Sequence, residues 1–235
     1  MSQENKYTYK VIDVVKENEN ISTLFLSCKD LNISEYKAGQ YLTVYFPESN
    51  ISEGRAYSIS SAPAEKNFTI TVKSSGEFSK KINALKKGDS ILASLPYGYF
   101  YIESEKVPLV MIAGGIGITP FRSMIFDLAN KEKKREITLF YSVKTFNDLV
   151  FKKQFDELAK KNVNFKVKYF ITDEEKKNSN VSNSRINATD ILSIANDKIK
   201  TEFYVCGSTS FTRDMWKELR NNGILEKNIY TEAFF

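Results

Sequence analysis

From Tyr7 to Leu95, apolar and β-branched residues come in short runs broken by polar, turn-forming clusters. The runs are Tyr7–Val15, Ile21–Ser27, Gln40–Phe46, Arg55–Ser60, Phe68–Val72 and Ser90–Leu95; the breaks include Glu17-Asn18-Glu19-Asn20 and Pro47-Glu48-Ser49-Asn50. This punctuation predicts six β-strands. Six short strands within a hundred residues in turn predict a closed or nearly closed antiparallel barrel. One stretch departs from the rhythm: Phe78, Ile82 and Leu85 stand at helical spacing, so a helix is expected over Phe78–Leu85.

After Glu103-Ser104-Glu105-Lys106 the pattern changes to strands alternating with helices. Strands are expected at Leu109–Ala113, Ile137–Tyr141, Phe165–Phe170, Phe203–Cys206 and Ile229–Thr231, and helices at Pro120–Lys131, Asp148–Lys160, Thr189–Ala195 and Phe211–Asn222. Alternation of this kind implies a parallel sheet with helices on both faces. The expected fold class is therefore β followed by α/β, with domains at 1–103 and 107–235. The Asn-, Ser- and Lys-rich stretch Asp173–Asn187 reads as a mobile surface loop.

Where the second half opens, Val110–Arg122 reads VMIAGGIGITPFR. An apolar strand breaks into Gly114-Gly115-Ile116-Gly117, and Thr119 and Pro120 then open an amphipathic segment through Phe121, Met124, Ile125 and Leu128. Strand, glycine loop and helix together can cradle a phosphate. Pro120 suits a first helical position because it has no N–H to leave unpaired, and Thr119 is expected to cap the free amides. Glycines let backbone approach a pyrophosphate where a side chain would collide. Pro120 stands where the usual dinucleotide fingerprint has its third Gly, and the loop alone fits a purely steric turn equally well.

Composition narrows the chemistry. The net charge is +5, but lysines and glutamates are interspersed, which reads as a solvated mixed surface without the basic, aromatic-laced stripe of a nucleic-acid binder. The chain has no histidine, which excludes a His-ligated haem or metal and any Ser-His or Cys-His catalytic pair. Its two cysteines, Cys28 and Cys206, lie far apart and encode neither a disulfide framework nor a Cys-ligated metal or iron–sulfur site. No metal is expected. Reduced thiols, an N-terminus without a signal-like apolar core, and no apolar run of membrane-spanning length point to a cytoplasmic protein.

In the barrel half, Arg55-Ala56-Tyr57-Ser58-Ile59-Ser60-Ser61, read as a strand, puts Arg55, Tyr57 and Ile59 on one side and Ser58 and Ser60 on the other. Arg binds pyrophosphate bidentately, Tyr lies against a flat ring, and a Ser hydroxyl donates to a ring nitrogen. Gly76-Glu77-Phe78-Ser79 opens the short helix and offers a second helix N-terminus to phosphate. Taken singly, the strand fits an edge strand with a salt-bridged Arg as well. In combination, RAYSISS (55–61), GEFS (76–79), AGGIGITP (113–120), VCGS (205–208) and TEAFF (231–235) resemble the ferredoxin–NADP reductase superfamily over essentially the whole chain. Ala38-Gly39-Gln40-Tyr41 and Pro96-Tyr97-Gly98-Tyr99-Phe100 look like its flanking elements, with Leu95 where many members have Gly.

The resemblance implies a six-stranded antiparallel flavin-binding barrel followed by a parallel-sheet nucleotide-binding domain, with FAD in the cleft between them. It implies that Arg55 and Gly76, Glu77, Phe78 and Ser79 hold the flavin phosphates, that Tyr57 packs on the flavin, and that Ser58 bonds near N5. Gly114, Gly115, Gly117, Thr119 and Pro120 would hold the nicotinamide nucleotide, Cys206, Gly207 and Glu232 would border the nicotinamide, and Phe234 or Phe235 would cover the flavin ring. Cys206 also reads as an apolar filler at a strand end. Beyond the second strand of this half stand Ser142 and Lys144, a hydroxyl and a cation suited to a 2′-phosphate; NADPH is expected, with NADH possible, although Lys144 fits a solvated surface charge equally well. The implied activity is hydride transfer from NAD(P)H to FAD, then single electrons to a separate acceptor such as an acidic ferredoxin or flavodoxin. Two alternatives are a flavin reductase that uses free flavin as its substrate and a non-catalytic redox-sensing subunit. The electron acceptor and the oligomeric state are not encoded.

Overall fold

The computed structural model describes residues 5–28, 35–46, 53–104, 107–131, 134–174, 181–193 and 199–234. Contacts divide the chain into two compact units, Met1–Ile102 with Arg122–Asp127, and Glu103–Phe121 with Leu128–Phe235.

The first unit contains β1 (Tyr7–Lys16), β2 (Ile21–Ser27), β3 (Tyr41–Tyr45), β4 (Arg55–Ser58), β5 (Phe68–Lys73), α1 (Glu77–Ala84) and β6 (Ser90–Ala93). The strands form one antiparallel sheet in the order β4-β3-β6-β1-β2-β5. Its two edges meet: Ile59 bridges to Ile70, and the Ser60 amide donates to the Thr69 carbonyl at 2.8 Å. Inside lie Tyr9, Leu24, Leu42, Ile59 and Ile70, all without solvent exposure, and the Tyr9 hydroxyl, which needs a partner in that apolar setting, donates to the Ser94 carbonyl at 3.0 Å. Of the run expected to be strand through Ser60, the strand itself ends at Ser58, and Ile59 and Ser60 switch to β5 to close the barrel.

The segment that follows β4 is gripped by side chains. Arg122 donates to both Glu65 oxygens at 2.6 and 3.0 Å and to the Ser60 carbonyl at 2.8 Å, and the Ser61 carbonyl accepts from Tyr36 and Ser123. A bidentate Arg–carboxylate pair with little exposure is a directional clamp. It fixes the end of the strand that carries Tyr57 and Ser58.

The second unit is built on β7 (Leu109–Gly114), β8 (Ile137–Val143), β9 (Phe165–Ile171), β10 (Val181–Ser182), β11 (Glu202–Ser208) and β12 (Ile229–Phe234), parallel throughout in the order β10-β9-β8-β7-β11-β12. Its helices are α2 (Ile118–Lys131), α3 (Lys152–Lys161), α4 (Ala188–Leu192) and α5 (Thr209–Asn221), and the middle of α2 groups with the first unit. The strand order reverses between β7 and β11, the kind of point at which open α/β sheets hold ligands.

Three sequence expectations need correction. The helix expected from Asp148 is split. Phe146–Asp148 forms a separate 3-10 turn, Phe151 takes a left-handed conformation (φ 63°) with its ring buried edge-on against Phe155, and α3 starts only at Lys152. The stretch Asp173–Asn187 is not all loop, since Val181–Ser182 pairs with Tyr169–Phe170; residues 175–180 lie outside the described ones. The last strand runs to Phe234, well past Thr231, because it matches β11 residue for residue. Among the described residues no helix is long and apolar enough to cross a membrane.

Gly39 tests the packing of the first unit. At φ 106° it occupies a region that L-residues avoid, and a Cβ there would fall on the Phe100 carbonyl and the Met124 methyl. Gly39→Ala is expected to lower unfolding stability by about 3 kcal/mol. Urea denaturation followed by circular dichroism measures this, and an unchanged midpoint would contradict the packing described.

Candidate functional site

In the first unit, the Arg55–Tyr57 face of β4 looks toward the start of α1. The Tyr57 ring stacks on Phe78 at 6.3 Å and 19°, and burial pushes its hydroxyl up to about 12 against the opposing pull of Arg55. Arg55 is half-exposed, donates to the Gly54 carbonyl at 3.2 Å, and reaches Glu53 only at 3.5 Å. Exposed pairs of this kind are weak, so the guanidinium is available to a stronger anion. Gly76 precedes α1, and a Cβ added there would meet nothing within 4 Å. The Ser79 hydroxyl is turned inward, accepting from the amides of Ser75 and Gly76 at 2.9 and 3.0 Å and donating to the Gly76 carbonyl. What this turn offers an anion is therefore backbone: the first amides of α1, which a helix leaves unpaired. Glu77 leans toward Lys81 at 3.4 Å.

Ser58 points to the other face. It is buried and stands directly opposite Tyr41 across β3 and β4.

In the second unit, β7 ends at Gly114, and Gly115–Gly117 makes one 3-10 turn that runs straight into α2. Thr119 and Pro120 thus lie inside the helix. The Thr119 hydroxyl donates to the Ile116 carbonyl at 3.0 Å, so it is not the cap expected from sequence, and the first amides of the helical run fall in the Gly115–Gly117 turn instead. Gly115 has φ 56° and open space where a side chain would be. At Gly117 a Cβ would fall on the Cys206 carbonyl and the Gly207 amide nitrogen, so only glycine lets the turn sit against β11. Ser142 is paired with Gly114 at the same sheet edge, and Lys144 follows it, exposed.

Cys206 pairs with Ala113 on one side and Glu232 on the other, while Gly207 and Ser208 pair with Ala233 and Phe234. Ser208 caps α5 by accepting from the Phe211 amide at 3.3 Å. Two helix N-termini therefore flank the reversal between β7 and β11, at the sheet's carboxyl edge, where open α/β sheets hold ligands. Cys206 is fully buried, and its thiol is pushed well above the usual range by burial, with the neighbouring Glu232 adding to the effect. Burial also raises the Glu232 carboxyl. Phe234 is half-buried at the end of β12, and Phe235 lies outside the described residues.

Three participants are missed by the sequence reading. Phe211 fills the space that side chains at Gly114 and Gly207 would need. Tyr41 partners Ser58. Glu174, from the end of β9, accepts from the Phe146 amide at 2.9 Å beside Lys144. Pairing partners and cross-loop bonds of this kind have no signal in local sequence.

Comparison with known proteins finds two families along the chain. Residues 8–102 match a family described as an oxidoreductase FAD-binding domain, and residues 111–217 match an oxidoreductase NAD-binding domain. The chain belongs to the oxidoreductases that join an FAD-binding domain to an NAD-binding domain. Its relatives include a flavohemoprotein of Bacillus subtilis, 30% identical over 231 residues; the alignment takes in 93% of this chain but spans only 57% of that protein. Similar solved structures include the FAD/NAD-binding domain of nitric oxide dioxygenase from Vibrio cholerae (TM-score 0.85, 24% identity, 99% of each chain covered). Another is a ferredoxin NADP+ reductase from Neisseria gonorrhoeae (TM-score 0.82, 23% identity, 98% of this chain and 99% of that one). The two-domain fold of these structures is the one seen here, an antiparallel barrel followed by a parallel sheet with helices.

A buried, neutral thiol cannot serve as a nucleophile. Iodoacetamide at pH 8 is expected to leave Cys206 unmodified in the native protein and to alkylate it after denaturation, as read by peptide mass spectrometry. Rapid alkylation of the native protein would contradict the burial.

Proposed function

We propose that this chain is a flavoprotein reductase that draws hydride from NADPH and passes single electrons to a separate acceptor, with residues 1–103 as the FAD domain and 107–235 as the nucleotide domain. The observation that carries the reading is the pair of anion-ready helix starts, one led by Gly76 and one by Gly115, each beside side chains suited to the rest of a nucleotide. Open space at both glycines fits the approach of phosphate, so the two groups suit the residues present.

When bound, FAD supplies the hydride acceptor and the one-electron outlet that no side chain here provides. In this reading Arg55 and the first amides of α1 hold its phosphates, Tyr57 lies against its ring, and the Ser58 hydroxyl bonds near N5. The Gly114–Gly117 turn takes the pyrophosphate of NADPH, and Cys206 and Gly207 form a close, uncharged wall for the nicotinamide. Glu232, whose carboxyl burial shifts upward, orients the carboxamide or passes a proton. Phe234, with Phe235, shields the ring from water.

NADPH is favoured over NADH by Ser142 and Lys144. The carboxylates around that loop are committed elsewhere: Asp148 accepts from the Thr145 hydroxyl at 2.9 Å, Glu174 from the Phe146 amide at 2.9 Å, and Asp173 from the Thr172 hydroxyl at 2.8 Å. The Lys144 ammonium has no partner among the described residues. For the acceptor, a net charge of +5 suits an acidic redox protein such as a ferredoxin or flavodoxin, whose encounter would slow as salt screens the attraction. Buried thiols suit a reducing, cytoplasmic setting.

The purified protein is expected to be yellow, with about one FAD per chain. Arg55→Ala is expected to lose most of that flavin while keeping its fold, as measured by flavin released per protein; full retention would mean that the phosphate lies elsewhere. Lys144→Ala is expected to raise KM for NADPH about tenfold and to leave KM for NADH nearly unchanged. Equal changes for both coenzymes would remove Lys144 from the reading.

A further inference from the structure

Phe211 lies in the first turn of α5, and its amide donates to the hydroxyl of the cap Ser208 at 3.3 Å. Its ring rests on two glycines at the carboxyl edge of the sheet, one at the end of β7 and one near the end of β11. A Cβ built on Gly114 would come within 2.7, 2.8 and 2.9 Å of three ring atoms, and one built on Gly207 within 2.6 Å of the ring Cδ1. The glycines also approach each other, since the Gly207 Cβ would lie 3.3 Å from the Gly114 Cα and carbonyl oxygen. One phenyl ring thus occupies the place of two side chains, closer to both backbones than any side chain would allow.

The ring is itself held. Phe211 is half-buried and packs against the core that includes Val110, Ile112, Phe203 and Val205. What it presses on is the site. Gly114 is the residue from which the Gly115–Gly117 turn departs, and Gly207 follows Cys206, whose carbonyl the Gly117 backbone lies against. Glycine has the widest backbone freedom of any residue, so a crevice walled by Gly114 and Gly207 would drift without an outside brace. A brace that fixes the walls before a ligand arrives lowers the ordering cost of binding and so raises affinity.

We propose that Phe211 is a positioning residue for the dinucleotide: acting through Gly114 and Gly207, it holds the glycine turn and the nicotinamide wall at one spacing. This rests on the reductase reading above. The brace bears on the part of the coenzyme that NADPH and NADH share, whereas the role given to Lys144 bears on the 2′-phosphate alone.

The test uses the full-length, flavin-bearing protein. Dissociation constants for NADP+ and, separately, NAD+ are measured by isothermal titration calorimetry for the wild type and for Phe211→Ala, Phe211→Met and Met215→Ala. Phe211→Ala is expected to weaken both coenzymes by the same factor, about tenfold, while flavin per chain stays unchanged. Phe211→Met refills the space with a flexible apolar chain and is expected to recover most of the loss. Met215 packs against the same core one turn further along α5 but is not among the atoms that crowd either glycine. Met215→Ala is therefore expected to lower thermal stability and leave both constants unchanged. Should Phe211→Ala not fold, Phe211→Val carries the same expectation with a smaller, equal loss for the two coenzymes. Unchanged binding in the Phe211 variants, a loss confined to one coenzyme, or an equal loss in Met215→Ala overturns the proposal and leaves the reductase reading standing. If the wild type binds neither coenzyme up to about 1 mM, and NADPH never reduces its flavin, the reading and the proposal fall together.

Discussion

The close approach of Gly117 to β11 governs the second unit. A turn that must lie against the carbonyl of Cys206 and the amide of Gly207 tolerates no side chain, and this contact brings the start of α2 next to the start of α5 across the reversal in strand order. The rest of the edge follows from register. With β7 fixed, Ser142 falls opposite Gly114; with β11 fixed, Glu232 and Phe234 fall opposite Cys206 and Ser208. One steric contact therefore sets the spacing of two helix N-termini and of the side chains around them, and the helix termini supply the electrostatics.

The first unit reaches a similar end by closure. Because Ile59 bridges to Ile70, β4 is an edge strand in name only, and the segment after it is held by Arg122, Ser123 and Tyr36. Such over-determination keeps Tyr57 and Ser58 on opposite faces, one toward the start of α1 and one toward Tyr41. Preorganisation of this kind is what a protein contributes when a cofactor carries the chemistry.

Much of this was legible in the sequence, for identifiable reasons. The barrel strands announced themselves by turn clusters, and the strand–glycine–helix unit at 110–122 by its composition, because both depend on local chemistry. The details that failed depend on distant contacts. Thr119 looks like a cap in sequence, yet the glycines coil early and draw it into the helix, where its hydroxyl turns back to Ile116. Phe151 sits inside an amphipathic run, but burial of its ring holds a left-handed backbone that delays α3. Val181–Ser182 is polar-flanked and short, and becomes a strand only because β9 offers it an edge.

The central claim is that hydride passes from NADPH to a flavin held by this chain, and anaerobic stopped-flow reduction tests it most directly. Purified protein is mixed with NADPH carrying deuterium at either face of C4, and the visible flavin band is followed. The account predicts bleaching at a rate that falls severalfold for one of the two stereoisomers only, as expected when a fixed site presents one face of the nicotinamide and the C4–H bond breaks in the observed step. Absence of bleaching, or bleaching at the same rate with both isomers and with unlabelled NADPH, would contradict it.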